Sequence, residues 1–417
     1  MTTTSAPSRP PVDRQTRNAR AAVAALFFTN GALFANILPR YPEIKAHLGL
    51  ANVEYGLAVA SFPLGALLAG LAAAGLIRRF RSSRVAVAGT ALTGVGIAAA
   101  GFAESWGVLA LTLLLAGAMD SLTDVGQNSH GLRVQQLYKR SILNSFHAVW
   151  SVGAMTGGLM GGAAVALDIP RSVHLSLNGV LWIVVALFSY RFLLKGPEPI
   201  EIIEVAPATG ESRPVIRRTA PFITLAALVI IAVGGTLVED AGSTWAAVYL
   251  SGALGAGVSI AALGFVALVG AQFIGRLLGD GLVDRFGQRT VARAGGAIVF
   301  LGMGLALTFP TVAGTIIGFG FAGFGVATLV PAAMQGADEI PGLRPGTGLA
   351  AVSWLMRAGF LLSPPIVGLI ADNVGLRAGL FVVPLAGLLV IVLSGVLSAA
   401  RAHDRRRASV PGSKRGI

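Results

Sequence analysis

The sequence predicts an all-α membrane protein with twelve transmembrane helices in two pseudo-symmetric six-helix bundles. Three observations predict it. Of 417 residues, 54% are hydrophobic and 12% charged, with a mean hydropathy of +0.74; a soluble domain carries about 25% charged residues. Apolar runs recur at the ~20 residues needed to cross ~30 Å of hydrocarbon. At a shift of 206 residues, the second half of the chain falls on the first.

Taken in order, residues 1–20 are rich in Arg and Pro and lack a short apolar core before a small-residue cleavage site. They read as a cytosolic tail, not a signal peptide. Spans follow at 21–39, 53–77, 84–103, 107–131, 142–166 and 172–195, the N-terminal bundle. Residues 196–218 mix Pro197, Pro199, Pro207 and Pro214 with both charge signs, the composition of a flexible cytosolic linker. Spans at 219–240, 256–282, 289–309, 312–336, 346–371 and 376–400 form the C-terminal bundle, and residues 401–417 a basic cytosolic tail.

An even number of spans puts both termini on one side. With that side inside, the outer loops hold only Arg40, Lys45, Arg171 and Arg377 of the 32 Lys and Arg residues. The net charge of +13 is therefore a positive-inside signal, not a nucleic-acid surface.

In the repeat, Arg79-Phe80 falls on Arg285-Phe286, Gly89 on Gly295, Gly96 on Gly302, Gly117 on Gly323, Gly153 on Gly359 and Gly162 on Gly368. The register holds from helix 3 to helix 5 and drifts in the first two helices of each half. An even number of spans per repeat relates the halves by an axis along the membrane normal.

Polar residues inside the spans carry the functional expectation, because each charge in hydrocarbon costs about 3 kcal/mol on insertion scales. Asp120, Asp124 and Asn128 lie at i, i+4, i+8 on one face of helix 4, and helix 5 carries His147 and Ser151. If helices 4 and 5 form a hairpin turning near 135–136, Asp124 is level with His147, Asp120 with Ser151, and Asn128 with Leu143-Asn144. Asp124 is then the candidate proton carrier and Asp120 the residue nearer substrate, or the two exchange roles; the alternative to both is a fixed network tying helices 4 and 5 together. Asn30 in helix 1 binds substrate or bonds across to a neighbouring helix. Glu239 and Asp240 receive substrate or protons, or sit solvated beside Trp245 and Tyr249 at headgroup depth. Helix 8 carries Gln272, Arg276 and Asp280, with Arg276 able to pair with Asp280 and Asp284 to join them in a gating cluster. Arg357 lies about 11 residues from either end of helix 11, beside Trp354, at a depth where an arginine needs a partner or an anion. Gly153, Gly157 and Gly161 suit close helix packing.

Other chemistries are excluded. There is no cysteine, so no disulfide, thiolate or Cys-ligated zinc. No phosphate loop supports ATP-driven transport, and there is no His-Glu-x-x-His. No Gly-x-Ser-x-Gly surrounds Ser151 or another serine to join His147 and Asp124 in a hydrolase. Neither an enzyme nor a cofactor is expected.

The stretch GDGLVDRFGQR, Gly279 to Arg289, resembles the loop signature of the major facilitator superfamily. Asp284, Arg285, Gly287 and Arg289 match it, while Asp280 stands where a glycine is usual. The first copy, GLIRRFRSSR, keeps Arg79 and Phe80 but has Arg78 for the aspartate and Arg81 for the glycine. FTNGALFANILPRYPEIKAHLGL, DVGQNSHG, FHAVWSVGAMTGG and EDAGSTWAAVYL are similar to a bacterial branch near the fucose permeases. The resemblance runs from about Ala24 to Asp372. It implies that helices 1, 4, 7 and 10 line a cavity reached alternately from each side. It also implies a monomeric secondary active transporter in the bacterial cytoplasmic membrane, moving a small polar organic solute such as a sugar with protons. The alternatives are a proton-driven exporter of a drug or secondary metabolite, against which the missing Gly-Pro of helix 5 counts, and a non-transporting membrane sensor on the same fold.

Overall fold

The computed structural model describes residues 13–138, 142–196, 220–340, 343 and 347–397. The expected linker from residue 197 on, Lys139 and Arg140 of the basic turn, and the tail 401–417 lie outside the described residues. Among the described residues there is no strand, and twelve spans are long and apolar enough to cross a bilayer.

Helix 1 starts at Arg14, ahead of the apolar run, because the Asp13 side chain caps it by accepting from the Thr16 N–H at 2.6 Å. This bond holds the exposed Asp13 carboxyl below its ordinary pKa. Helix 1 runs to Ala35, followed by a 3-10 turn at Leu38–Arg40 and a short helix at Tyr41–His47. Helices 2 to 6 are Asn52–Phe80, Ser82–Ala100, Trp106–Tyr138, Leu143–Ala166 and Arg171–Tyr190. Helices 7, 8 and 9 are Ala220–Gly252, Val258–Phe286 and Gln288–Thr308. The last three spans are interrupted: helix 10 is Val312–Val326 and Leu329–Asp338, helix 11 Thr347–Leu355 and Arg357–Val374, helix 12 Leu376–Gly379 and Val382–Leu393.

The chain divides into two compact units. The first holds residues 13–37 and 61–196 of those described, the second residues 38–60 and 220–397. The short helix after helix 1 and the first turns of helix 2 thus pack with helices of the second half. Tyr55 meets Trp245 edge-on at 5.0 Å and donates its hydroxyl to the Thr244 carbonyl at 2.7 Å.

In the first unit helix 5 packs along helix 1 and helix 4 along helix 3, while helices 4 and 5 touch only lightly. The expected 4–5 hairpin is therefore corrected. The reason is the glycine stripe of helix 5. A Cβ on Gly153 or Gly157 would collide with the backbone of Phe28 or Ala32, so helix 1 occupies that face.

The second unit repeats this scaffold. Gly117 lies against the Phe62 carbonyl, and Gly323 against the Leu268 carbonyl. Both members of the pair are 206 residues apart, so the register extends into helix 2, where the sequence alone suggests drift. The junctions after helices 2 and 8 also match: Gly287 has φ 80° and ψ 154°, and Arg81 has φ 77° and ψ 148°. That region is open almost only to glycine. Arg81 is thus an arginine held in a glycine conformation.

Candidate functional site

In the first unit the site is built from helices 1, 4 and 5. Asn30 donates its amide to Asp120 Oδ1 at 2.6 Å and accepts from Trp150 Nε1 at 2.8 Å. One asparagine thereby ties the carboxylate of helix 4 to the indole of helix 5 through helix 1. Asp120 does not meet Ser151, whose hydroxyl turns back to the His147 carbonyl at 3.2 Å. Asn128 donates to Asp124 Oδ1 and to the Asp124 carbonyl, both at 2.9 Å, a bond along the helix. His147 is exposed and sets its ring edge-on to Phe27 at 5.2 Å. The absence of a side chain at Gly31 and Gly153 permits the close crossing of helices 1 and 5 that brings Trp150 to Asn30.

Sequence reasoning does not select Trp150 or His130. Trp150 lies three residues from His147 in the same helix, which is the signal that points to it. His130 is fully buried. Its Nε2 accepts from the Leu194 N–H at 3.0 Å, which places the proton on Nδ1, 2.9 Å from Ser82 Oγ. It joins helices 3 and 4 to the end of helix 6 and is a packing histidine.

In the second unit Glu239 accepts from Gln272 Nε2 at 2.9 Å, and Arg276 Nη2 stands 3.9 Å from the same oxygen. The expected Arg276–Asp280 pair is not formed. Glu239 offers a partly buried carboxylate across the helix 7–8 interface, whereas Asp280 and Asp284 are exposed, where a pair contributes little. Asp240 is 7% exposed, accepts weakly from Thr244 Oγ1 at 3.3 Å, and leaves Oδ2 without a hydrogen bond among the described residues. The buried Tyr41 hydroxyl is also unbonded there, and Ser363 is the neighbouring hydroxyl of Asp240. Trp245 and Tyr249, expected at headgroup depth, are 0% and 1% exposed. They are core residues, covered by Tyr55 and the neighbouring helices.

At the helix 8–9 junction Gly287 makes the turn and Arg285 lies over the Phe286 ring at 5.2 Å. Arg289 closes the end of helix 12 by donating to the Leu397 and Gly395 carbonyls at 3.1 and 2.6 Å. Helix 11 breaks at Met356, whose carbonyl accepts from Thr236 Oγ1 at 2.9 Å. Trp354 and Arg357 flank that break and both are exposed.

Twelve apolar spans, a repeated six-helix scaffold and paired polar residues in the interior suit a carrier. The family model described as Major Facilitator Superfamily matches residues 23–280. The chain belongs to the major facilitator superfamily. It is a multi-pass membrane protein of a transporter family, not an enzyme. An uncharacterised transporter of Sinorhizobium fredii is 32% identical over 375 residues, covering 90% of this chain and 97% of that protein. An uncharacterised transporter of the superfamily from Yersinia pestis is 25% identical over 379 residues, covering 91% and 94%. Among solved structures, the nucleoside transporter NupG superposes with a TM-score of 0.73 at 12% identity, covering 90% of this chain and 98% of that one. At that identity the likeness shows the superfamily fold alone.

Proposed function

We propose that this superfamily member is a secondary active transporter that moves a small polar organic solute across the bacterial inner membrane by alternating access, coupled to protons. It works as a monomer with both termini and the 196–218 linker in the cytosol. The observation that carries the reading is Asp120, a carboxylate inside a membrane span, bonded to Asn30, which also holds Trp150. A carboxylate there is costly unless it is used. Water reaching and leaving such a group changes how well its charged form is tolerated. That is the physical basis for taking up a proton on one side and releasing it on the other. Asp124, beside Asn128 in the first unit, and Glu239, beside Gln272, and Asp240 in the second are the further carboxylates of this reading, with His147 on helix 5 of the first unit as a further candidate.

The test is uptake into proteoliposomes under an imposed pH gradient, with an Asp120→Asn/Asp124→Asn double variant as control. The variant should lose accumulation and keep solute exchange, which needs no net proton movement. Normal pH-driven accumulation in the folded double variant would remove helix 4 from coupling and move attention to Glu239 and Asp240.

A further inference from the structure

Arg357 is a charge inside a span of the second unit that the contacts above leave unused. It opens the second segment of helix 11, well inside the Thr347–Val374 span, is exposed, and has no hydrogen bond or ion pair among the described residues. Glu239, the partly exposed carboxylate of helix 7, is already taken by Gln272 and Arg276.

Helical geometry tells what Arg357 faces. At 100° per residue, Pro364 and Gly368 lie within about 20° of Arg357 around the helix. The exposed apolar residues Leu362, Ile366 and Leu369 lie about 120–180° away. That apolar stripe is the lipid face, so Arg357 points away from lipid. Two turns further along its own face, helix 11 is covered by the start of helix 2. Gly56 lies against the Pro364 carbonyl, and Gly368 against the Asn52 carbonyl. The face is closed at Gly368 and open at Arg357. An arginine at this depth, turned from lipid and unpaired, needs water and an anion.

The break fixes its position. The Thr236 hydroxyl holds the Met356 carbonyl, and the lack of a side chain on Gly359 lets helix 11 lie against Thr236 and Val233. One turn before Arg357, the Trp354 indole is 57% exposed.

We propose that Arg357 binds an oxyanion of the transported solute, which is therefore an organic acid or phosphate ester with a body that packs on Trp354. The proposal rests on the transporter reading and narrows its substrate class. The guanidinium presents planar paired donors that match a carboxylate or phosphate, and an indole face gives the solute's body apolar contact.

The chain has no cysteine, so Trp354→Cys can be labelled without background. An anionic and a cationic methanethiosulfonate reagent are compared on Trp354→Cys with Arg357 intact, with Arg357→Gln and with Arg357→Lys. A unit charge about 9 Å away in water should favour the anionic reagent by a ratio of about fivefold. Arg357→Gln should lose that ratio and Arg357→Lys keep it. No labelling, or an equal ratio in all three, overturns the proposal. In parallel, thermal shifts are read for glucuronate against glucose, benzoate against benzamide, and glucose 6-phosphate. The acids should stabilise the intact protein and not Arg357→Gln; carboxylates and the phosphate separate the two sources of oxyanion. Stabilisation by neutral compounds only, unchanged in Arg357→Gln, also overturns it. Where no compound binds, the labelling ratio decides. The ratio needs no transport, so a failed uptake assay with an intact ratio refutes the transporter reading alone.

Discussion

Asp372→Ala should open the protein from the side where helix 2 begins. Helix 2 starts at Asn52, and the first N–H groups of a helix have no partner within it. Asp372, near the end of helix 11, supplies one. Its Oδ1 accepts from Asn52 N and Nδ2, and its Oδ2 from Val53 N, each at 2.8 Å. A side-chain cap contributes about 1 kcal/mol. A negative charge at a helix N-terminus adds about 0.3–1 kcal/mol, the lower part of that range applying at this exposed site. The sum is about 1.4 kcal/mol, a tenfold change in an equilibrium. Ser363 is 1% exposed and precedes Pro364, against whose carbonyl Gly56 packs, so withdrawal of residues 38–60 is expected to bring water to it. Ser363→Cys should therefore be labelled about tenfold faster by an impermeant thiol reagent in the Asp372→Ala background. Asp372→Asn, which keeps one acceptor oxygen and loses the charge, should give an intermediate rate. An unchanged rate in Asp372→Ala would show that the cap does not hold this segment closed.

Asn30→Ala leaves Asp120 and the Trp150 N–H without their shared partner, at about 1–3 kcal/mol; the melting temperature of the purified protein should fall clearly, and by less in Trp150→Phe. Arg81→Gly relieves about 1–3 kcal/mol of backbone strain against about 0.5–1 kcal/mol of added chain entropy, so it should raise the melting temperature, whereas Gly287→Ala should lower it.

The spans and the repeat were legible because both are written locally. Hydropathy over one span needs no knowledge of its neighbours, and a glycine that admits a backbone carbonyl recurs with its register. Arg81 was legible too, as a departure from that register, and the backbone there shows why glycine is the usual residue. Partners across helices were not legible. The i, i+4 spacing of Asp120 and Asp124 places both on one face without telling which helix comes to it, and helix 1, not helix 5, comes to Asp120. Arg276 has a carboxylate four residues on in its own helix, yet turns to Glu239 across an interface. Trp245 and Tyr249 carry the composition of a headgroup belt, and only the packing of Tyr55 and the neighbouring helices shows them to be core. His130 reads in sequence like any helical histidine; Ser82 and Leu194, which bond it, come from segments 48 and 64 residues away.

The two units put different chemistry on one scaffold, and the shift of 206 residues shows where they part. Trp150 falls on Met356, and Asn30 within one residue of Thr236, since Gly153 lies on the Phe28 carbonyl and Gly359 on the Val233 carbonyl. In the first unit Asn30 bonds the Trp150 side chain; in the second Thr236 bonds the Met356 backbone. Gly153 and Gly359 also correspond, and each lets its helix approach helix 1 or helix 7. The crossing is thus kept and its polar content changed. Asp120 corresponds to Val326, so the second unit has no carboxylate where the first has its central one. Ser151, buried and bonded to its own helix, corresponds to Arg357, exposed and unpaired. The carboxylate and the arginine therefore occupy non-equivalent places in the repeat. On the proposed reading, Asp120 would serve a proton in one unit and Arg357 an anion in the other, so that each charge has its own ligand.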